Sequence, residues 1–107
     1  MGFTTSVAEQ IAAAVSGARV VKAFNSTGAG NMDNPDYDGM AASMFICGDD
    51  APAKQVVAQL AQELGFDVVD AGGLTVARYL EPLAFLWVNQ AYVQGEGPNI
   101  AFKLLRR

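Results

Sequence analysis

Apolar and polar positions along the chain change period several times, and each change predicts an element. Ser6-Val7-Ala8-Glu9 has the form of a capping box, the hydroxyl taking the amide three residues on and the glutamate reaching back. Val7, Ile11, Ala14 and Val15 follow at helical spacing, so a helix with one apolar stripe is predicted from Val7 to about Ser16, stopped by Gly17. Arg19 to Phe24 is short, β-branched and bounded by turn formers, which predicts a strand. Ser26 or Thr27 is placed to cap a short helix over Gly28 to Met32, and the turn-rich run Asn31 to Ala42 predicts a loop.

Ser43 to Gly48 is a second apolar strand. It ends at Asp49-Asp50-Ala51-Pro52, where a carboxylate next to an early proline marks a helix start. Val56, Val57, Leu60, Ala61 and Leu64 make the stripe of that helix and Gly65 ends it. Asp67 to Asp70 predicts a third strand with Ala71-Gly72-Gly73 as its exit turn. From Thr75 a long helix is predicted to about Gln94, kinked at Pro82 because proline leaves the Arg78 carbonyl without an amide. Its second half, Leu83 to Val93, is apolar almost all round, as in a helix covered on several sides. Gly95-Glu96-Gly97-Pro98 stops it, and Asn99 to Leu105 is read as a terminal strand rather than a frayed extension. The alternation defines an α/β protein with a three- to four-stranded, mostly parallel or mixed sheet and flanking helices. Because it opens on a helix whose stripe needs a sheet already in place, it has the order of the later half of a larger α/β fold.

At 107 residues, the chain is one domain, 1–107, in which 75–107 forms a long helix plus tail suited to an interface. With 51% hydrophobic residues and a mean hydropathy of +0.20, it has apolar surface to spare for a partner, and a homo-oligomer through Leu83 to Val93 is expected. Eleven acidic against seven basic residues argue against nucleic acid and against anionic membranes. No apolar run approaches the ~20 residues of a bilayer span, no targeting segment is visible, and a cytoplasmic setting is the default. The chain has no histidine and a single cysteine, so imidazole bases, Ser-His or Cys-His nucleophiles, His/Cys zinc sites and intrachain disulfides are excluded. Cys47 is expected to be a buried small hydrophobe.

Gly28-Ala29-Gly30 follows a strand and opens a helix, yet its spacing fails the dinucleotide fingerprint and puts Asp33 where a small residue is needed. The alternative is a glycine-rich turn that lets another group approach the backbone. Asp49-Asp50 is explained by capping rather than by a metal, and no metal or catalytic residue is assigned. Asp70, Arg78 and Glu81 suggest a network pinning strand to helix. Phe85, Trp87 and Tyr92 suit packing more than stacking on a ring cofactor.

Several ordered blocks resemble one family. They are Val20 to Ala29, Met44 to Asp50, Asp70 to Leu74 with Ala77 to Leu83, and the closing Ile100 to Leu105. Together they are similar to the later half of the NADPH-dependent coenzyme F420 reductases, Rossmann-like oxidoreductases that pass hydride between NADP and a 5-deazaflavin. The resemblance departs at Gly73, where the family often has proline, and at Val76, where a polar residue is usual. It implies a Rossmann-like NAD(P)-binding fold, NADP as cofactor and coenzyme F420 as acceptor. It implies that Asn25, Ser26, Thr27, Gly28 and Ala29 form a strand-end loop beside the nicotinamide, and that the chain from Leu74 onward shapes the deazaflavin side and the subunit contact. The family's N-terminal half, with the glycine-rich fingerprint, has no counterpart in these residues. Gly2 to Ser6 resembles a run internal to longer members, which implies that Met1 is an initiator placed mid-frame. Hydride transfer needs two rings held in contact more than it needs a side-chain acid or base, which suits a chain without histidine. Two functions are thus expected: the C-terminal portion of an NADP-dependent oxidoreductase, inactive without an N-terminal half, or a non-catalytic interaction or small-ligand module on the same scaffold.

Overall fold

A computed structural model describes residues 4–24 and 28–107. Helix α1 (Val7–Ala14) starts as a capping box: Ser6 Oγ accepts from the Glu9 amide and donates to Glu9 Oε2. It ends two residues before Ser16, and Gly17 carries the left-handed backbone (φ 84°) that turns the chain out. Strand β1 (Val21–Lys22) is shorter than its apolar run, and a five-residue helix α2 (Ala29–Asp33) follows. The predicted loop contains a hairpin of β2 (Asp36–Tyr37) and β3 (Met40–Ala41). Its turn residues, Asp38 and Gly39, both have positive φ, which the twist of a tight hairpin favours.

Strand β4 (Ser43–Gly48), helix α3 (Ala51–Glu63) and strand β5 (Asp67–Asp70) lie where their patterns place them. Asp50 Oδ2 accepts the Ala53 amide at 2.9 Å with proline in the first turn, and Gly65 (φ 101°) closes α3. A 3-10 turn (Leu74–Val76) leads into α4 (Ala77–Val88), which runs through Pro82 and changes pitch only at a π-helical turn, Asn89–Val93.

The sheet has the order β1-β4-β5 and is mixed: β1 runs antiparallel to β4, with Val21 opposite Gly48, and β5 runs parallel to it, with Met44 opposite Val68. Helices cover both faces. Cys47, Ala8, Leu74, Ala77 and Leu80 form the core under α1 and α4; Met44, Ile46, Ala42, Ala61 and Phe66 form the one under α3. The central strand is therefore buried on both sides, which is why Met44-Phe45-Ile46-Cys47 is uninterrupted apolar sequence.

Four expectations change. The α1 stripe is not the buried one: Val7, Ile11 and Val15 are exposed and only Ala8 is fully covered. On α3 the inward residues are Val57, Ala58 and Ala61, while Val56, Leu60 and Leu64 face outward, because the small Ala61 permits close approach to β4. The second half of α4 is covered on one side through Trp87 and Ala91, with Phe85, Leu86, Val88, Tyr92 and Val93 exposed. The segment from Asn99 is extended but forms no strand. Its Phe102 carbonyl accepts the Ser43 amide, yet the Leu104 amide goes to Ser43 Oγ instead of a backbone carbonyl, so no ladder develops.

Candidate functional site

The segment implied to lie beside a nicotinamide begins at the end of β1. Asn25, Ser26 and Thr27 lie outside the described residues, so the site is defined by its two shoulders. On one side Phe24 adopts a left-handed backbone (φ 61°), a conformation that strains a bulky residue. Its amide donates to Met44 Sδ at 3.2 Å and its ring meets Phe66 edge-on at 6.5 Å, so packing holds the turn. On the other side Gly28 is the N-cap residue of α2, with no side-chain cap of its own.

Gly28 explains itself through Trp87. A Cβ on Gly28 would collide with the six-membered ring of the indole, so only glycine lets α2 sit on that ring. The group that approaches this glycine-rich turn is thus the protein's own tryptophan, and nothing crowds Gly30 in the same way. Trp87 is fixed in turn by its Nε1–H, which donates to the Ile100 carbonyl at 2.8 Å, and by Tyr92 edge-on at 6.1 Å. The same carbonyl accepts from buried Asn31 Nδ2 at 2.8 Å, while Tyr37 Oη donates to Asn31 Oδ1. One backbone oxygen of the C-terminal segment therefore ties together α2, the hairpin and the end of α4. Trp87 was assigned to packing from sequence, but its partner Gly28, 59 positions away, has no local signal.

Asp70, Arg78 and Glu81 do not form one network. Asp70 pairs with Lys54 at 3.1 Å and accepts the Gly72 amide, whose hydrogen bond, with Lys54, holds the carboxyl below its usual range despite some desolvation. Arg78 pairs with Glu9 at 3.0 Å, and that bond, assisted by Ser6, lowers the Glu9 carboxyl against desolvation and the charge of Glu81. Burial pushes Glu81 upward, but the Val7 and Ala8 amides at 2.8 and 3.1 Å and Lys22 at 3.3 Å outweigh it and leave the group lowered. Glu81 thus satisfies the free amides of α1 from 74 residues away. Asp49 accepts the Leu74 amide at 3.0 Å and helps set the 3-10 turn. Cys47 is fully buried, and loss of solvation raises its thiol.

A dinucleotide brings phosphates that need free amides or cations converging on one place. Six of the seven basic residues are already engaged: Arg19 with Asp50, Lys22 with Glu81, Lys54 with Asp70, Arg78 with Glu9, and Lys103 and Arg106 with Asp67. At the start of α2 the Asn31 amide is used by the Gly28 carbonyl. Among the described residues, no cluster of cations fits the phosphate portion of NADP. A groove of about 480 Å³ runs between α3 and β5, and none of its lining residues comes from 24–31. Among the described residues no three carboxylates or thiols converge to hold a metal ion, and no helix is long and apolar enough to cross a membrane.

A mixed sheet between helix layers, with helices and strands alternating along the chain, is an arrangement of the Rossmann-like class. No family model matches the chain. It is 39% identical to a proposed F420-dependent NADP-reductase from Arthrobacter sp. FB24, whose crystal structure superposes with a TM-score of 0.87 over 96% of this chain and 47% of that one. A crystal structure of the hypothetical protein SMa0349 from Sinorhizobium meliloti matches with a TM-score of 0.63 and 30% identity over 97% of this chain and 45% of that one. Over 78 residues, 73% of this chain and 16% of the relative, it is 37% identical to metalloreductase STEAP3 from Rattus norvegicus. The chain thus spans about half the length of the solved structures and a small part of the metalloreductase. The resemblance carried by the sequence blocks extends to the fold: the chain is related to the F420-type NADP reductases over nearly its whole length.

Proposed function

We propose that this chain is the C-terminal portion of an NADP-dependent oxidoreductase that transfers hydride between NADP(H) and a deazaflavin- or flavin-type acceptor. In this reading it acts together with an N-terminal portion that grips the phosphates. The observation that carries it is the 39% identity at a TM-score of 0.87 over 96% of the chain. The engaged cations support the division of labour, because a chain with six of its seven basic residues paired to its own carboxylates has few to offer a phosphate. Bound NADP would supply the hydride chemistry. In this reading Asn25 to Ala29 contribute one wall of the ring site, and the described residues on either side, Phe24 and Gly28, are fixed by Phe66 and Trp87. The domain reading is retained, 1–107 as a partial Rossmann-like unit, with 75–107, and within it Leu83 to Val93, assigned to contact with another subunit. A reducing, cytoplasmic compartment suits the buried free Cys47.

Titrating the purified chain with NADPH tests the reading. No saturable fluorescence change is expected at submillimolar cofactor, and tight binding by the chain alone would contradict it. Mixing with a fingerprint-bearing half of a reductase of this type is expected to restore binding and NADPH oxidation with a deazaflavin or flavin. The second reading, a non-catalytic interaction or small-ligand module, is favoured by the indole that already occupies the space beside Gly28. It predicts that such a mixture stays inert.

A further inference from the structure

Strand β1 stops at Lys22 although its apolar run continues to Phe24, and the reason lies on β4. The Ala42 and Ile46 carbonyls accept the Asp67 and Ala71 amides, and the Gly48 amide donates to the Gly72 carbonyl, so these groups of β4 face β5 and its exit turn. Alternation then turns the backbone groups of Ser43, Phe45 and Cys47 to the opposite edge, where Lys22 lies across from Cys47. Carried on, that antiparallel register sets Phe24 opposite Phe45 with its amide aimed at the Phe45 carbonyl. Val20 to Phe24 has the composition to follow this course, and it leaves it instead.

Two contacts stand in the way. The Phe24 amide donates to Met44 Sδ at 3.2 Å, and Phe24 turns left-handed (φ 61°) into the core under α3, where its ring meets Phe66. Further along the same edge of β4, the Phe102 carbonyl takes the Ser43 amide at 3.0 Å, and Ser43 Oγ accepts the Leu104 amide at 2.9 Å. That C-terminal segment is pinned on both sides of Phe102: Ile100 O accepts from Trp87 and Asn31, and Lys103 reaches Asp67 at 2.7 Å. It holds an edge position that a longer β1 would need. The turn at Phe24 runs against local preference twice, because a thioether is a weaker acceptor than a carbonyl and left-handed backbone strains a bulky residue. Such strain persists only where the surrounding structure imposes it, and it gathers where a chain is aimed at a functional site.

We infer that Met44 and the segment 100–104 form a strand stop: they end β1 at Lys22 and, by holding Phe24 left-handed, set the direction in which the chain leaves the sheet. Met44 and Phe102 are its positioning residues. Its functional meaning rests on the reading above, in which the residues after Phe24 contribute a wall of the ring site, whereas the stop itself needs no nucleotide. Without the stop, β1 extends along β4 to Phe24 and the chain beyond it is redirected.

Nuclear magnetic resonance on the full chain without nucleotide reads the device. In the unaltered chain the Phe24 amide is expected to contact the Met44 methyl, and the absence of that contact, or an amide-to-amide contact between Phe24 and Phe45, overturns the stop. Met44→Leu nearly conserves core volume and removes the acceptor. It is expected to keep the far-UV circular dichroism, to move the Phe24 Cα and Cβ resonances to strand values, and to bring up the Phe24–Phe45 contact. Resonances that stay in place overturn the role of Met44. Ser43→Ala with Lys103→Met loosens the segment and is expected to speed amide exchange at position 43 by about tenfold or more. Combined with Met44→Leu, it is expected to populate the extended ladder further than Met44→Leu alone, and unchanged exchange overturns the role of the segment. Met40→Leu, on the hairpin, is expected to alter none of these signals. Mixed with a fingerprint-bearing half, Met44→Leu is expected to raise the KM for NADPH several-fold with a smaller change in kcat. An active mixture with the same KM for both chains overturns the link between stop and site. A mixture inert with both chains overturns the cofactor reading and leaves the strand stop standing on its resonances.

Discussion

Gly28 and Trp87 show how a single residue type can be required by a contact distant in sequence. The backbone of Gly28 has φ −79°, which any residue adopts, so its glycine is required by space alone. Gly28→Ala is expected to cost about 1–3 kcal/mol, the usual range for overpacking, and to move the fluorescence of Trp87. Urea denaturation followed by tryptophan emission measures both, and an unchanged midpoint would show that the ring does not lie against Gly28. Gly30, one residue type and two positions away, tolerates the same change as far as space is concerned. From sequence the two glycines looked alike, and Gly28-Ala29-Gly30 invited comparison with a nucleotide motif. The indole is what separates them.

At the scale of elements, the junction of α1 with α4 is held by charge. Glu81 closes the N-terminus of α1 and pairs with Lys22 on β1, while Glu9 returns from α1 to Arg78. Both carboxyls sit below their ordinary values in the fold, so the stability they contribute is complete above the ordinary carboxylate range. It is lost as pH falls below that range, about 4.3 for glutamate, and through the lower folded values. Glu81→Gln is expected to lower stability at neutral pH by about 1–2 kcal/mol through weakened bonds to a charged acceptor. It is also expected to make the acid decline shallower, since one linked proton is gone. Urea midpoints at a series of pH values from neutrality to about 3 check this, and parallel acid limbs for the two proteins would count against the role of Glu81. The capping box Ser6–Glu9 and the Asp50 cap were visible in local sequence, because their partners lie three residues away. The Glu81 cap was not, because its partner does not. The hairpin had a local signal, Asp38-Gly39, that the turn-rich composition around it obscured.

The whole molecule depends on its last nine residues more than their lack of regular structure suggests. Ile100 O accepts from Trp87 and Asn31, Phe102 O accepts the buried Ser43 amide, and Lys103 pairs with Asp67 at 2.7 Å. Ala101 packs against the core under α3. Ending the chain after Pro98 is expected to destabilise it by roughly 3 kcal/mol or more, about 1 kcal/mol for each of three donors left without its carbonyl. Thermal unfolding of the shortened chain tests this, and an unchanged midpoint would mean that the segment is peripheral. The same scale explains the apolar surface: two helix layers around three strands leave the outer sides of α1, α3 and α4 without a third layer.

What the sequence by itself determined were the elements whose causes are local: the apolar run of β4, the capped starts of α1 and α3, the glycine stops at Gly17 and Gly65, and the order that makes an α/β fold. It also carried the family resemblance, which is a property of residue order. Tertiary structure alone decided which side of each helix is inward, that β1 runs antiparallel to β4, that Gly28 rests on Trp87, and which carboxylate meets which base. A periodic stripe says that a helix has an apolar side, but small residues such as Ala8 and Ala61 won the core because helix and sheet approach most closely where side chains are short. Periodicity records spacing along one axis, and burial depends on what arrives from elsewhere in the chain.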